Sequence, residues 1–177
     1  MTEITLAAWT LLLRLPDYEV LHFQEESDLN LYRFTVGPKH RVGVCPHCGK
    51  SCDQVRQTRT RAGIKDLPLS TFTVELEVRV PQYACQRCQK AFTPPVPFLF
   101  EGAHTTERFL ERAAELVRAS DLANAAAFLE VPERTLADWY YDYLQRRPTT
   151  HSRSAKPIRR IGIDELSLKK STGSSSP

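Results

Sequence analysis

The chain has 177 residues, 41% of them hydrophobic and 25% charged, and a formal net charge of +3. This is the composition of an ordinary soluble protein of one to three small units, and it implies no single large core. Five cysteines, an odd count, in a chain without an export signal argue against a disulfide framework.

The charge is unevenly spread. Residues 1–37 carry a net −4, residues 38–90 a net +6, residues 91–145 a net −5 and residues 146–177 a net +6. The two basic segments are candidate polyanion contacts with an acidic unit between them, although a charge run on its own is most often a solvated face.

Ile4 to Leu15 is the most apolar stretch, expected as a helix. Glu3 precedes it and Arg14 interrupts it, and it falls short of the roughly 20 apolar residues that span a bilayer. It also lacks the basic leader and small-residue cleavage site of a signal peptide, so the expected location is the cytoplasm, with no membrane partner. Tyr18–Phe23 and Leu29–Val36 then read as two strands of a β-hairpin around Glu25-Glu26-Ser27-Asp28.

Two cysteine doublets follow, Cys45-Pro46-His47-Cys48 and Cys85-Gln86-Arg87-Cys88. Four thiolates in two such turns can close a tetrahedral structural zinc site with no open position for water. Gly49 suits the left-handed position that ends the first turn, whereas Gln89 occupies that place in the second and makes it the more strained. The doublets stand further apart than the roughly 15–20 residues of a compact ribbon, but loop closure costs only about 0.6 kcal/mol per doubling of length. Cys52 or His47 could replace a ligand, but two doublets already complete the set. Between the doublets, Phe72, Val74, Leu76, Val78 and Val80 alternate with Thr71, Thr73, Glu75, Glu77 and Arg79, which is the strongest strand pattern in the chain.

Pro94, Pro95 and Pro97 mark a boundary. From Thr105 the period becomes helical, with Phe109, Leu110, Ala113, Leu116 and Val117 on one face. Asp121 caps a second, short helix, and Val131-Pro132 precedes a third from about Glu133 to Gln145. The last two form a helix-turn-helix candidate, whose second helix would offer Arg134, Thr135, Asp138 and Tyr141 to a DNA major groove. Arg56, Arg59, Arg61 and Lys65 in the zinc segment, and Arg159 and Arg160 in the linker, are candidate phosphate contacts.

In order, the hairpin, Cys-Pro-His-Cys-Gly, Asp66-Leu67-Pro68-Leu69 before a long strand, a second doublet followed by Phe92-Thr93, the helical unit, and Ile161-Gly162-Ile163-Asp164-Glu165 together resemble the bacterial insertion-sequence transposases of the ISL-three type. The resemblance implies an α+β chain: a small β-rich zinc-ribbon domain, then an all-α helix-turn-helix domain, then the start of an RNase-H-like domain. The expected divisions are 1–37 for the N-terminal helix and hairpin, 38–97 for the ribbon, 98–147 for the helix-turn-helix, 148–160 for a basic linker and 161–177 for the first catalytic strand.

In that family three carboxylates hold two metal ions for strand cleavage and joining. Asp164 matches the first, and no acidic residue follows Glu165. The second and third carboxylates are thus missing, and the expectation is a truncated, non-catalytic transposase with structural zinc, magnesium belonging only to an intact relative. The leading reading is recognition of double-stranded transposon inverted repeats. The alternative is a protein-interaction module that self-associates or inhibits a full-length transposase, motivated by the acidic middle unit.

Overall fold

The computed structural model describes residues 5–146. Helix α1, Leu6–Leu13, begins at Thr5, whose Oγ1 accepts a hydrogen bond from the Ala8 N–H, and ends where Arg14 turns left-handed at φ 48°. Strands β1, Tyr18–Glu26, and β2, Leu31–Pro38, form the expected hairpin. A 3-10 turn at Ser27–Leu29 joins them, and the register shifts between Val20 and His22. Trp9 of α1 lies over this hairpin, its ring centroid 4.7 Å from Phe23 and 5.1 Å from Phe34.

The short strands β3, Gly43–Val44, and β4, Ser51–Cys52, flank the first cysteine doublet. Strands β5, Val55–Leu69, and β6, Phe72–Ala84, make a long antiparallel ribbon, and β7, Ala91–Phe92, returns beside the end of β6 after the second doublet. Strand β6 is the alternating segment read from sequence. Val74, Leu76, Val78 and Val80 are buried on one face of it.

The larger sheet runs in the order β1-β2-β6-β5, with β7 also on β6, and β2 lies parallel to β6 from Leu31 opposite Thr73 to Val36 opposite Val78. Strands from both sides of residue 37 therefore share one sheet and one core. The reason is burial. A two-stranded ribbon is marginal by itself in water, and the apolar face of β6 is covered only when the hairpin and α1 join it. That core comprises Trp9, Leu13, Leu15, Tyr18, Val20, Phe34, Val36, Ile64 and the β6 valines and leucine, completed by Val96 and Phe98. The proline-rich stretch at 94–97 is accordingly a strap laid on the sheet, with Phe98 edge-on to Tyr18 at 5.0 Å.

Three helices follow: α2, Glu107–Ala119; α3, Leu122–Phe128; and α4, Glu133–Arg146. Thr106 and Asp121 cap α2 and α3, accepting from the N–H groups of Phe109 and Asn124. Phe109, Ala113, Ala125, Ala126, Leu129, Val131 and Leu136 form their shared core. The chain turns between α3 and α4 through Glu130, which takes the left-handed conformation at φ 52° where a glycine would be unstrained. The class is α+β, with a β-rich region carrying the cysteines and four α-helices among the described residues.

Candidate metal centre

The two doublets are built alike. In the first, Gly49 N–H donates to the Cys45 carbonyl and Cys45 N–H to the Lys50 carbonyl, both at 2.9 Å. In the second, Gln89 N–H donates to Cys85 and Cys85 N–H to Lys90, again at 2.9 Å. Each turn ends in a left-handed residue, Gly49 at φ 69° and Gln89 at φ 58°. Gln89 pays the Cβ penalty that Gly49 avoids, and its side-chain amide donates to the Gln86 carbonyl at 2.7 Å. The flanking strands match too, since Gly43 pairs with Cys52 as Tyr83 pairs with Phe92.

At the interface of the two knuckles, a Cβ at Gly43 would stand 2.9 Å from Tyr83 Cδ2 and 3.1 Å from Phe92 Cε2. The missing side chain lets the aromatic pair of the second knuckle close against the first. The four sulfurs then meet: Cys45 to Cys88 is 3.6 Å, Cys48 to Cys85 is 3.5 Å, and all four lie within 4.8 Å of one another. A tetrahedral ion with about 2.3 Å Zn–S bonds requires sulfur–sulfur edges of about 3.8 Å. The quartet fits that ion. Cys45 and Cys85 are buried, while Cys48 and Cys88 are half-buried at the rim.

The electrostatics favour thiolate at one corner. The backbone N–H of Cys88 brings the Cys85 thiol down to about 6, with the Cys48 sulfur assisting against the opposing effect of burial. Cys52 is outside the quartet. It contacts the Lys50 carbonyl at 3.5 Å, and burial pushes its thiol up to about 11, as suits a small core residue beside Tyr83 and Phe92. His47 is exposed and also outside the quartet.

The other sequence-derived candidates scatter. Arg56, Arg59 and Arg61 are exposed along the first half of β5, whereas Lys65 is half-buried with its backbone bonded to His104 and Thr106. On α4, Arg134, Asp138 and Tyr141 are exposed and Thr135 is half-buried. Arg159, Arg160 and Asp164 lie outside the described residues. The metal centre is at one end of the β5–β6 ribbon and α2 docks near the other, on the order of 30 Å along the strand at about 3.3 Å per residue.

Sequence reading missed what fixes that second end. Asp66 is buried, and it accepts hydrogen bonds from Thr106 Oγ1 at 2.8 Å and Arg108 Nε at 2.7 Å, with Arg108 Nη2 on its other oxygen. Arg108 Nη1 also donates to the Leu13 carbonyl at the end of α1, at 2.6 Å. The Asp66 to Leu69 run was visible as a motif, but nothing in the chain pattern marked Arg108 as its partner.

Two cysteine knuckles closing one four-sulfur site at the end of a β-ribbon define a zinc-ribbon protein. Residues 41–88 match the family model described as the zinc-finger of transposase IS204/IS1001/IS1096/IS1165. The chain is also 26% identical over 133 residues to the transposase for insertion sequence element IS1001 of Bordetella parapertussis, a match covering 75% of this chain and 32% of that relative. By these matches the chain is similar to insertion-sequence transposases of the ISL-three type, most specifically over the zinc-finger region at residues 41–88. It spans about a third of the length of the curated relative. No solved structure matches it. No helix among the described residues is long and apolar enough to cross a membrane.

Proposed function

We propose that this chain is a zinc-stabilised DNA-recognition module that binds the inverted-repeat ends of an insertion sequence. The observation that carries the reading is the four-cysteine knuckle pair in a transposase-type zinc-finger region, set on a ribbon whose exposed strand bears Arg56, Arg59 and Arg61. Cys45, Cys48, Cys85 and Cys88 hold the zinc, which acts as a structural clamp because four sulfurs leave no site for water. Helices α3 and α4 act as the helix-turn-helix pair. The exposure of Arg134, Asp138 and Tyr141, opposite the buried Leu136 and Tyr143, supports α4 as the reading helix. Arg159 and Arg160 add non-specific, salt-sensitive affinity. Strand cleavage belongs to a complete catalytic domain with magnesium, in which Asp164 would be the first carboxylate. The test is a fluorescence-anisotropy titration of zinc-loaded protein on inverted-repeat duplex against random duplex at several salt concentrations. A preference for the repeat of tenfold or more is expected, and equal affinity for both sinks the reading.

A second reading, self-association or capture of a full-length transposase, is favoured by α1. Leu11 is 77% exposed and Leu12 57%, an unusual cost for a short helix that is apolar all round. Sedimentation of the wild type and of Leu11→Glu separates the readings. A concentration-dependent dimer lost in the variant supports association through α1, and a monomer at all concentrations together with no co-purification with a full-length transposase removes it.

A further inference from the structure

The polar face of the large sheet divides into two halves of different electrostatic character. Far from the metal centre its charged groups are partnered and acidic in balance: Arg33 pairs with Glu26 and with Glu75 at 3.6 Å, and Thr35 Oγ1 donates to Glu77 at 3.1 Å. Near the metal centre the same face opens into a groove of about 470 Å³ whose walls carry Lys39, Arg41 and Arg79. Among the described residues none of these three enters an ion pair within 4 Å.

Sheet register explains their convergence. Thr60 lies opposite Arg79 and Thr58 opposite Pro81, so the two hydroxyls and the guanidinium share one face. Glu19 lies opposite Gly37 on the neighbouring pair, and Lys39 and Arg41 follow directly as β2 leaves the sheet for the first knuckle. Leu21 lies over Gly37, its Cδ1 2.7 Å from where a Cβ would stand, so the absence of a side chain at Gly37 lets Leu21 line the groove. Three cations without an ion pair among the described residues, two from the stretch after β2 and one from β6, thus surround one open channel with two hydroxyl donors and a single carboxylate, Glu19.

We propose that this groove seats the sugar-phosphate backbone of a DNA duplex, with Lys39, Arg41 and Arg79 on successive phosphates and Thr58 and Thr60 donating to phosphate oxygens. The inference rests on the DNA-binding reading above and adds a contact surface remote from α4. It also gives the knuckles a mechanical role. Zinc fixes the segment that carries Arg41 against the strand that carries Arg79, so the charge spacing is set before DNA arrives.

The test is the salt dependence of binding to a random-sequence duplex, measured for the full chain, for Lys39→Gln/Arg41→Gln/Arg79→Gln, and for a charge-matched control, Arg14→Gln/Arg112→Gln/Arg118→Gln. Each lost phosphate contact lowers the slope of log K against log salt by about 0.9, so the groove variant is expected to lose roughly 2–3 from the slope and to bind more than tenfold more weakly at moderate salt. Glu19→Gln is expected to bind a few-fold more tightly, by removing the one opposing charge. Retained zinc in each variant shows that the ribbon is intact. If the wild type binds duplex and the groove variant keeps its slope, or if the control loses as much, the groove is overturned while DNA binding stands. Absence of duplex binding by the wild type overturns both.

Discussion

Arg108 ties Asp66 to Leu13: one guanidinium holds the buried carboxylate at the end of β5 and caps a carbonyl at the end of α1, from the first turn of α2. Three elements distant in sequence thus meet at one side chain. Removing Arg108 leaves the Asp66 carboxylate buried with the Thr106 hydroxyl as its hydrogen-bond donor, which is the expensive way to break such a pair. Arg108→Ala is expected to destabilise the protein by about 3 kcal/mol in urea unfolding, and Arg108→Ala/Asp66→Asn to recover part of it. A double variant no better than the single one contradicts this account.

Zinc content should separate the five cysteines. Cys85→Ser is expected to abolish stoichiometric zinc and to loosen the knuckles and adjoining ribbon, while the core of α2, α3 and α4 stays folded. Cys52→Ser is expected to keep one zinc per chain, because Cys52 lies outside the quartet. Metal analysis with limited proteolysis checks both, and loss of zinc in Cys52→Ser would require a different ligand set.

Acid should release the metal in a defined direction. The folded protein holds the Cys85 thiol at about 6, below its ordinary value, so the thiolate contributes stability that is present at higher pH and is lost as pH falls through about 6. Proton competition for the other three thiolates acts in the same direction. A zinc-chelator assay across pH 5 to 8 is expected to show release rising steeply at the acid end. Release that increases with pH would reverse the assignment.

The knuckle interface predicts opposite effects for two substitutions. Gly43→Ala places a Cβ 2.9 Å from the Tyr83 ring, an overpacking that costs about 1–3 kcal/mol. Gln89→Gly relieves a side chain held at φ 58° and is expected to gain about 1 kcal/mol, less whatever its bond to Gln86 contributes. Thermal unfolding of the zinc-loaded variants measures both, and a neutral Gly43→Ala would show that the aromatic pair can move aside.

Local chemistry made much of this protein legible from its sequence. Cysteine spacing announced the knuckles, period-two alternation announced β6, and period 3.6 with Asp121 as a cap announced the helices, because each signal is carried by neighbouring residues. Strand β5 escaped that reading. It is a polar edge strand, exposed over its first half, and it has no apolar alternation to betray it. The parallel pairing of β2 with β6, the strap at Val96 and Phe98, the Asp66–Arg108 link and the groove at Lys39, Arg41 and Arg79 were decided only in three dimensions. Each joins residues far apart in the chain, and their geometry depends on which apolar faces must be buried together. A pattern within one segment reports that a face needs covering, but its partner is selected by the packing of the whole core.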